Sequence, residues 1–243
     1  MVSVRSFCID RYELSTVDRK TGLALSPFYP PHPNLLASVR DAWLLEKDTL
    51  GDEGARAMPL PELPSWQRQG TFSPRAVAKA GVVPQGYLTQ LLAKKACENA
   101  GKRLCTKDEW VTACKGERQT KFPYGEKYRA LACNVFRQTH PAFVLHGSAS
   151  LGHRDPRLNL VSSGADPLLR LTGATASCAS VWGDDKIYDM VGNIDEWVDD
   201  EPASFWGGFY ARSTTQGCEA KVSAHPPVYY DYSTGSRCCK DRG

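Results

Sequence analysis

Nine cysteines run from one end of this sequence to the other: Cys8, Cys97, Cys105, Cys114, Cys133, Cys178, Cys218, Cys238 and Cys239. No two stand in C-x-x-C spacing, so a structural zinc ribbon is not indicated. Dispersed cysteines in a loop-rich chain indicate a disulfide framework built in an oxidising compartment, the bland alternative being buried thiols. An odd number leaves at least one thiol free or shared with another chain. The second stretch with chemistry in it is acidic. Residues 184–201 hold Asp184, Asp185, Asp189, Asp195, Glu196, Asp199, Asp200 and Glu201 against the single base Lys186. Such a density repels itself unless it is hydrated or bound to a hard cation through oxygen ligands, although no EF-hand loop is present. The five histidines are His32, His140, His146, His153 and His225. Spacings of six and seven do not place the middle three on one helix face. A loop site of three histidines near Asp155 competes with the plainer reading of solvated loop histidines. No motif gathers Ser, His and Asp into a nucleophilic triad. Gly207-Gly208 lacks the strand–helix context of a nucleotide loop.

These residues need positioning, and the composition says by what. The chain has 243 residues, enough for one sizeable core. Hydrophobic residues make up 42% and charged residues 23%, which excludes a disordered chain. A net charge of +3 announces neither a nucleic-acid nor a membrane surface as partner. No run of about 18 apolar residues exists, so no transmembrane helix is expected. Residues 7–14 suggest a strand ending in an acid. Eight prolines fall within residues 15–81. That stretch is expected to be an extended surface insertion, at about 17–81, with a short helix near Val39–Lys47 and with Trp43, Trp66 and Phe72 as residues it can bury. Residues 88–100 carry Leu91, Leu92, Ala96 and Ala100 at helical spacing, with Gly101 as the natural stop. Thr106-Lys-Asp-Glu109 is a capping box opening a second helix, with Trp110, Val111 and Cys114 inward and Gly116 as its end. The last 120 residues are short apolar runs between Gly, Pro, Asn and Asp.

An ordered set of motifs then stands out. It comprises Ala96-Cys-Glu-Asn-Ala-Gly-Lys-Arg-Leu-Cys-Thr-Lys-Asp-Glu-Trp110, Phe122-Pro-Tyr-Gly125, Cys133-Asn-Val135, Tyr188-Asp-Met-Val-Gly-Asn-Ile-Asp-Glu-Trp197, Gly207-Gly208 and Thr234-Gly-Ser-Arg-Cys238. Together they resemble the formylglycine-generating enzyme, or sulfatase-modifying factor, domain family, over about residues 7–16 and 82–241. The proline-rich insertion departs from the family pattern. The usual opening before the first strand is missing, as after removal of a leader; Arg5, Asp10, Arg11 and Glu13 themselves make no signal peptide. The resemblance implies an α+β fold of low regular secondary structure with C-type-lectin character, braced by disulfides. It implies bridges Cys97–Cys238 and Cys114–Cys218 and leaves Cys8, Cys105, Cys133, Cys178 and Cys239 unassigned. It also implies calcium sites, one at Asn193 and Glu196 and a second at Asn134 and Val135. For Asn193 the alternative is a turn residue at positive φ.

The family's oxidases bind copper(I) through two thiolates five residues apart, placed between the Gly-Gly turn and a structural cysteine. Here that stretch, Phe209–Cys218, holds only Cys218, and the hydroxyls of Ser213, Thr214 and Thr215 are no substitute. A free, catalytic Cys218 is the alternative to its bridge. The chain is therefore expected to have no catalytic cysteine pair and to bind neither copper nor iron. The expectation is one domain, 1–243. It serves as a non-catalytic binding or structural module, calcium-stabilised and extracytoplasmic, with a cytoplasmic location left open. The partner is another protein or a cell-surface component. An oxidoreductase of the same superfamily using a different metal site is the competing class.

Overall fold

The computed structural model describes residues 1–212 and 214–242; Ser213 lies outside them. Among those residues six short α-helices are interspersed with fourteen strands of two to five residues, a mixed α+β architecture. A first sheet runs in the order Val2–Val4, Phe7–Ile9, Cys238–Asp241, Arg103–Leu104, every pair antiparallel. It lays the carboxy-terminal strand between the first hairpin and the segment that links two helices. A second sheet orders Lys221–Val222, Ser204–Trp206, Asp195–Val198 and Thr234–Ser236, the last pair being parallel.

The expected strand 7–14 is two strands. Phe7–Ile9 belongs to the first sheet and Leu14–Asp18 pairs with Pro74–Ala78. The break between them turns Asp10 onto Lys102 at 2.6 Å and buries Glu13 completely. The Leu14–Asp18 ladder stitches the mouth of the proline-rich segment shut. That segment forms three helices, α1 (Pro33–Glu46), α2 (Glu53–Ala57) and α3 (Ser65–Gln69). It is less of a surface appendage than its composition suggests. Leu25, Tyr29, Leu36, Val39, Ala55 and Phe72 are buried in one cluster with Tyr87, Leu158, Tyr210 and Tyr232. Its prolines break the regular structure, yet its aromatic and aliphatic residues still need cover.

The two helices read from sequence form as their caps direct. In α4 (Gln90–Asn99) the Thr89 hydroxyl takes the Leu92 amide, and Gly101 follows at a φ of 67°. In α5 (Lys107–Lys115) both bonds of the capping box are present, Thr106 to the Glu109 amide and Glu109 back to the Thr106 amide. Trp110, Ala113 and Cys114 face inward. A last helix, α6 (Pro141–His146), ends at the left-handed Gly147. No helix among the described residues is long and apolar enough to cross a membrane.

Four disulfides brace these elements: Cys97–Cys238, Cys105–Cys239, Cys114–Cys218 and Cys133–Cys178. The adjacent Cys238 and Cys239 point to opposite sides of their strand, so one reaches α4 and the other the strand leading to α5. Cys8 is the free thiol.

Candidate functional site

The turn before Trp197 is built by two positive-φ residues, Gly192 at 81° and Asn193 at 60°. A Cβ on Gly192 would come within 2.3 Å of the Asn134 carbonyl oxygen, so only glycine fits. That approach lets the Asn193 amide donate to the Asn134 carbonyl at 2.9 Å. Asn134 and Asn193, far apart in sequence, thus share one buried polar cluster.

Every polar atom of the Asn193 side chain is engaged. Its Nδ2 donates to both Glu13 oxygens at 3.0 and 2.9 Å. Its Oδ1 accepts from Asn134 Nδ2 at 2.9 Å and from the Arg170 amide at 3.0 Å. Glu196 is equally committed. Arg237, with no exposed surface, grips both its oxygens at 2.6 Å, and Trp110 Nε1 donates to Oε2 at 2.6 Å. The guanidinium also donates to the carbonyls of Asp10 and Tyr188.

Three buried carboxylates, Glu13, Asp189 and Glu196, therefore face one guanidinium. Burial pushes the Glu13 carboxyl well above its usual range, and the charges of Asp189 and Glu196 push it further. Burial likewise raises Asp189 to about 7. A proton held on Glu13 relieves the surplus of negative charge.

The two implied calcium sites differ in how their side-chain oxygens are engaged. At Asn193 and Glu196 each side-chain oxygen already faces an N–H donor, so the residues present do not fit an oxygen cage. Asn134 is different: its Nδ2 is used on Leu168 and Asn193, but its buried Oδ1 has no partner. Val135 follows it, half-buried against the glycine turn.

The acidic stretch is not one face. Asp189, Asp195 and Glu196 are buried, each with its own donor. Asp189 takes the Gly173 amide and Asp195 takes Arg212 at 2.7 Å. At the rim, Asp185 pairs with Arg11 and Asp199 with Lys94. The counter-charges Arg237 and Arg212 went unassigned at the sequence level. Eight acids against one base signalled that some such partner must come from elsewhere in the chain.

The loop after the glycine pair is the other place to look for chemistry. Gly207 and Gly208 have φ of 89° and 77°, and a Cβ on Gly208 would strike Thr214 Oγ1. Cys218 is fully buried and bonded to Cys114. Thr214 is buried and Thr215 exposed. Arg212 lies over Phe209 and Phe205 while holding Asp195, whose carboxyl burial raises to about 7 in spite of that guanidinium. Phe209, Tyr210 and Tyr232 pack beside the loop, with His140 and His153 against the edges of Tyr232. His146 instead turns to Asp155, and His225 stacks on Tyr229. The three histidines nearest in sequence do not converge. Among the described residues no three His, Cys, Asp or Glu side chains are grouped as ligands for a metal ion.

The description "Sulfatase-modifying factor enzyme 1-like domain" fits residues 1–241 of the chain as a family match. Among solved structures, CarF aligns over 97% of this chain and 99% of its own at 12% identity, with a TM-score of 0.40. PvdO from Pseudomonas aeruginosa aligns over 97% of this chain and 80% of its own at 16% identity, with a TM-score of 0.44. No curated protein matches the chain.

Proposed function

Since the chain belongs to the sulfatase-modifying factor enzyme 1-like domain family, we propose that it is a disulfide-braced binding or structural module of that family and not a formylglycine-generating oxidase. The observation that carries this reading is the state of Cys218. It is the one cysteine between the Gly-Gly turn and Thr234, and its sulfur is bonded to Cys114. The free thiol, Cys8, sits in the first hairpin, next to the strand Cys238–Asp241. Copper(I) chemistry of the family's kind needs two thiolates on one ion, since softness and geometry select them together. An extracytoplasmic location is part of the proposal, supported by four disulfides. So is recognition of another protein or a cell-surface component, in keeping with the C-type-lectin kinship that the resemblance implies.

Given copper(I) and a peptide carrying the sulfatase motif Cys-x-Pro-x-Arg, the protein is expected to yield no formylglycine by mass spectrometry. Turnover above a copper-free control overturns the reading. Stoichiometric copper or iron in protein from its native compartment would move it to an oxidoreductase of the same superfamily.

Calcium enters the proposal at Asn134 and Val135, where the unpartnered Asn134 Oδ1 supports it. A bound calcium would supply charge to neutralise nearby oxygens and brace the glycine turn. An ion bound only by the folded chain stabilises by RT ln(1 + [L]/Kd), about 2.7 kcal/mol at a hundredfold excess over Kd. The melting temperature is therefore expected to rise between EDTA and millimolar calcium. Identical melting in the two takes calcium out of the reading.

A further inference from the structure

The proline-rich segment builds something the family's own motifs do not touch. The carboxy-terminal half of α1 lies across residues 146–157 and leaves a cavity of about 350 Å³ between them. That is within the range of small-molecule sites.

The base of the cavity is a row of buried polar side chains. Arg157 donates to Asp155 through Nε and Nη2, at 3.0 and 2.7 Å. Its Nη1 is taken by the carbonyls of Ala55 and Met58, at 2.6 and 3.0 Å. This neutral, saturated pair ties the insertion to the cavity base and is not available to a ligand. His146 stands beside it, 2% exposed, with Nε2 at 3.1 Å from Asp155 Oδ2. It fits there because residue 152 is glycine: a Cβ would fall 2.2 Å from that nitrogen.

Three polar atoms of the lining residues are buried without a hydrogen-bond partner: Trp43 Nε1 and both ring nitrogens of His146, Nε2 standing 3.1 Å from Asp155 Oδ2 without hydrogen-bond geometry. A buried donor without a partner is costly, and an indole N–H can only donate. It calls for an acceptor. The free charges around the opening, Lys47 and Arg154 against Glu46, favour an acceptor that is anionic. Val39 and Leu50 supply apolar wall for the rest of such a molecule. Phosphate is a poorer match. The helix end at the cavity is the carboxy terminus of α1, whose dipole disfavours negative charge, and Lys47 and Arg154 offset the single charge of a carboxylate there more readily than the larger charge of phosphate.

We propose that this cavity binds a small organic carboxylate with an apolar body, its carboxylate accepting from Trp43 Nε1 between Lys47 and Arg154. The inference stands apart from the missing thiolate pair and from calcium, since none of its residues belongs to either.

The test uses the full chain with benzoate as probe, and with benzyl alcohol and inorganic phosphate as comparisons, in titration calorimetry. Benzoate is expected to bind saturably, benzyl alcohol at least tenfold more weakly, and phosphate not detectably. Trp43→Phe keeps the ring under Lys47 and Arg157 but removes the N–H. It is expected to weaken benzoate roughly tenfold or more, with no drop in ligand-free melting temperature from a broken hydrogen bond, since the N–H has no partner there. Lys47→Met, at the half-buried C-cap of α1, provides a second variant that keeps an unbranched chain over Trp43, and it is expected to weaken benzoate. Equal binding of benzoate and benzyl alcohol, preferential binding of phosphate, or full benzoate affinity in both variants overturns the proposal. So does the absence of benzoate binding.

Discussion

Arg237→Met is expected to lower the free energy of unfolding by about 3–5 kcal/mol, read from the urea midpoint with an unchanged slope. Arg237 has no exposed surface, and its removal leaves Glu196 with a buried charge held only by Trp110 Nε1. Glu13 and Asp189 then face Glu196 with no cation between them, and the carbonyls of Asp10 and Tyr188 lose a donor. Glu196→Gln errs in the opposite direction, leaving the guanidinium without its directly bonded carboxylate and with only Glu13 and Asp189 facing it. The double variant is expected to lose less than the sum of the two single losses, because neither charge is then stranded. The cost of Glu196→Gln is expected to be the same in EDTA and in millimolar calcium, since Arg237 and not an ion neutralises Glu196. A loss under about 1 kcal/mol for Arg237→Met would show that the cluster reorganises freely. A calcium-dependent loss for Glu196→Gln would put an ion where the guanidinium sits.

The second large effect concerns the paired bridges at the carboxy-terminal strand. Cys97–Cys238 and Cys105–Cys239 close nearly the same loop, with separations of 141 and 134 residues. In the chain-entropy model a bridge removes freedom only in proportion to the loop left open by the others. With Cys105–Cys239 in place, Cys97–Cys238 closes a covalent path of only about 10 residues, worth roughly 3 kcal/mol. With both gone, the path back through Cys114–Cys218 is roughly 40 residues, and the combined loss is about 7 kcal/mol. Replacing either pair by alanine is thus expected to be tolerated. Replacing both approaches the whole stability of an ordinary domain. The four proteins are compared by urea unfolding under non-reducing conditions. A quadruple variant that loses no more than the two double variants together would mean the bridges do not share one loop.

Much of the framework was legible locally. Thr106 and Glu109 specify the start of α5, and Gly101 and Gly116 specify where α4 and α5 stop, because caps and left-handed residues act within one turn. The ordered motifs pointed to the family for the same reason: each is a short stretch whose backbone requirement is met by its own residues. The strand expected at 7–14 breaks because the carboxylates of Asp10 and Glu13 are drawn to separate partners, Lys102 and the buried Asn193. The proline-rich segment looked like a surface feature because proline content reports on local conformation. Whether Tyr29 or Phe72 finds a partner depends on Tyr87 and Tyr210, far along the chain.

What the sequence determined by itself was the inventory: nine cysteines, an odd number that leaves at least one without a partner in the chain, a single cysteine between the Gly-Gly turn and Thr234, and an acidic run in need of countercharge. Which cysteine stays free, which acid takes which arginine and where a cavity opens were decided only by the tertiary structure. Hydrogen bonds, ion pairs and disulfides act over a few ångströms. Residues 13, 134, 193, 196 and 237 come within that range only after the glycine turn, the disulfides and the two sheets have brought distant segments together.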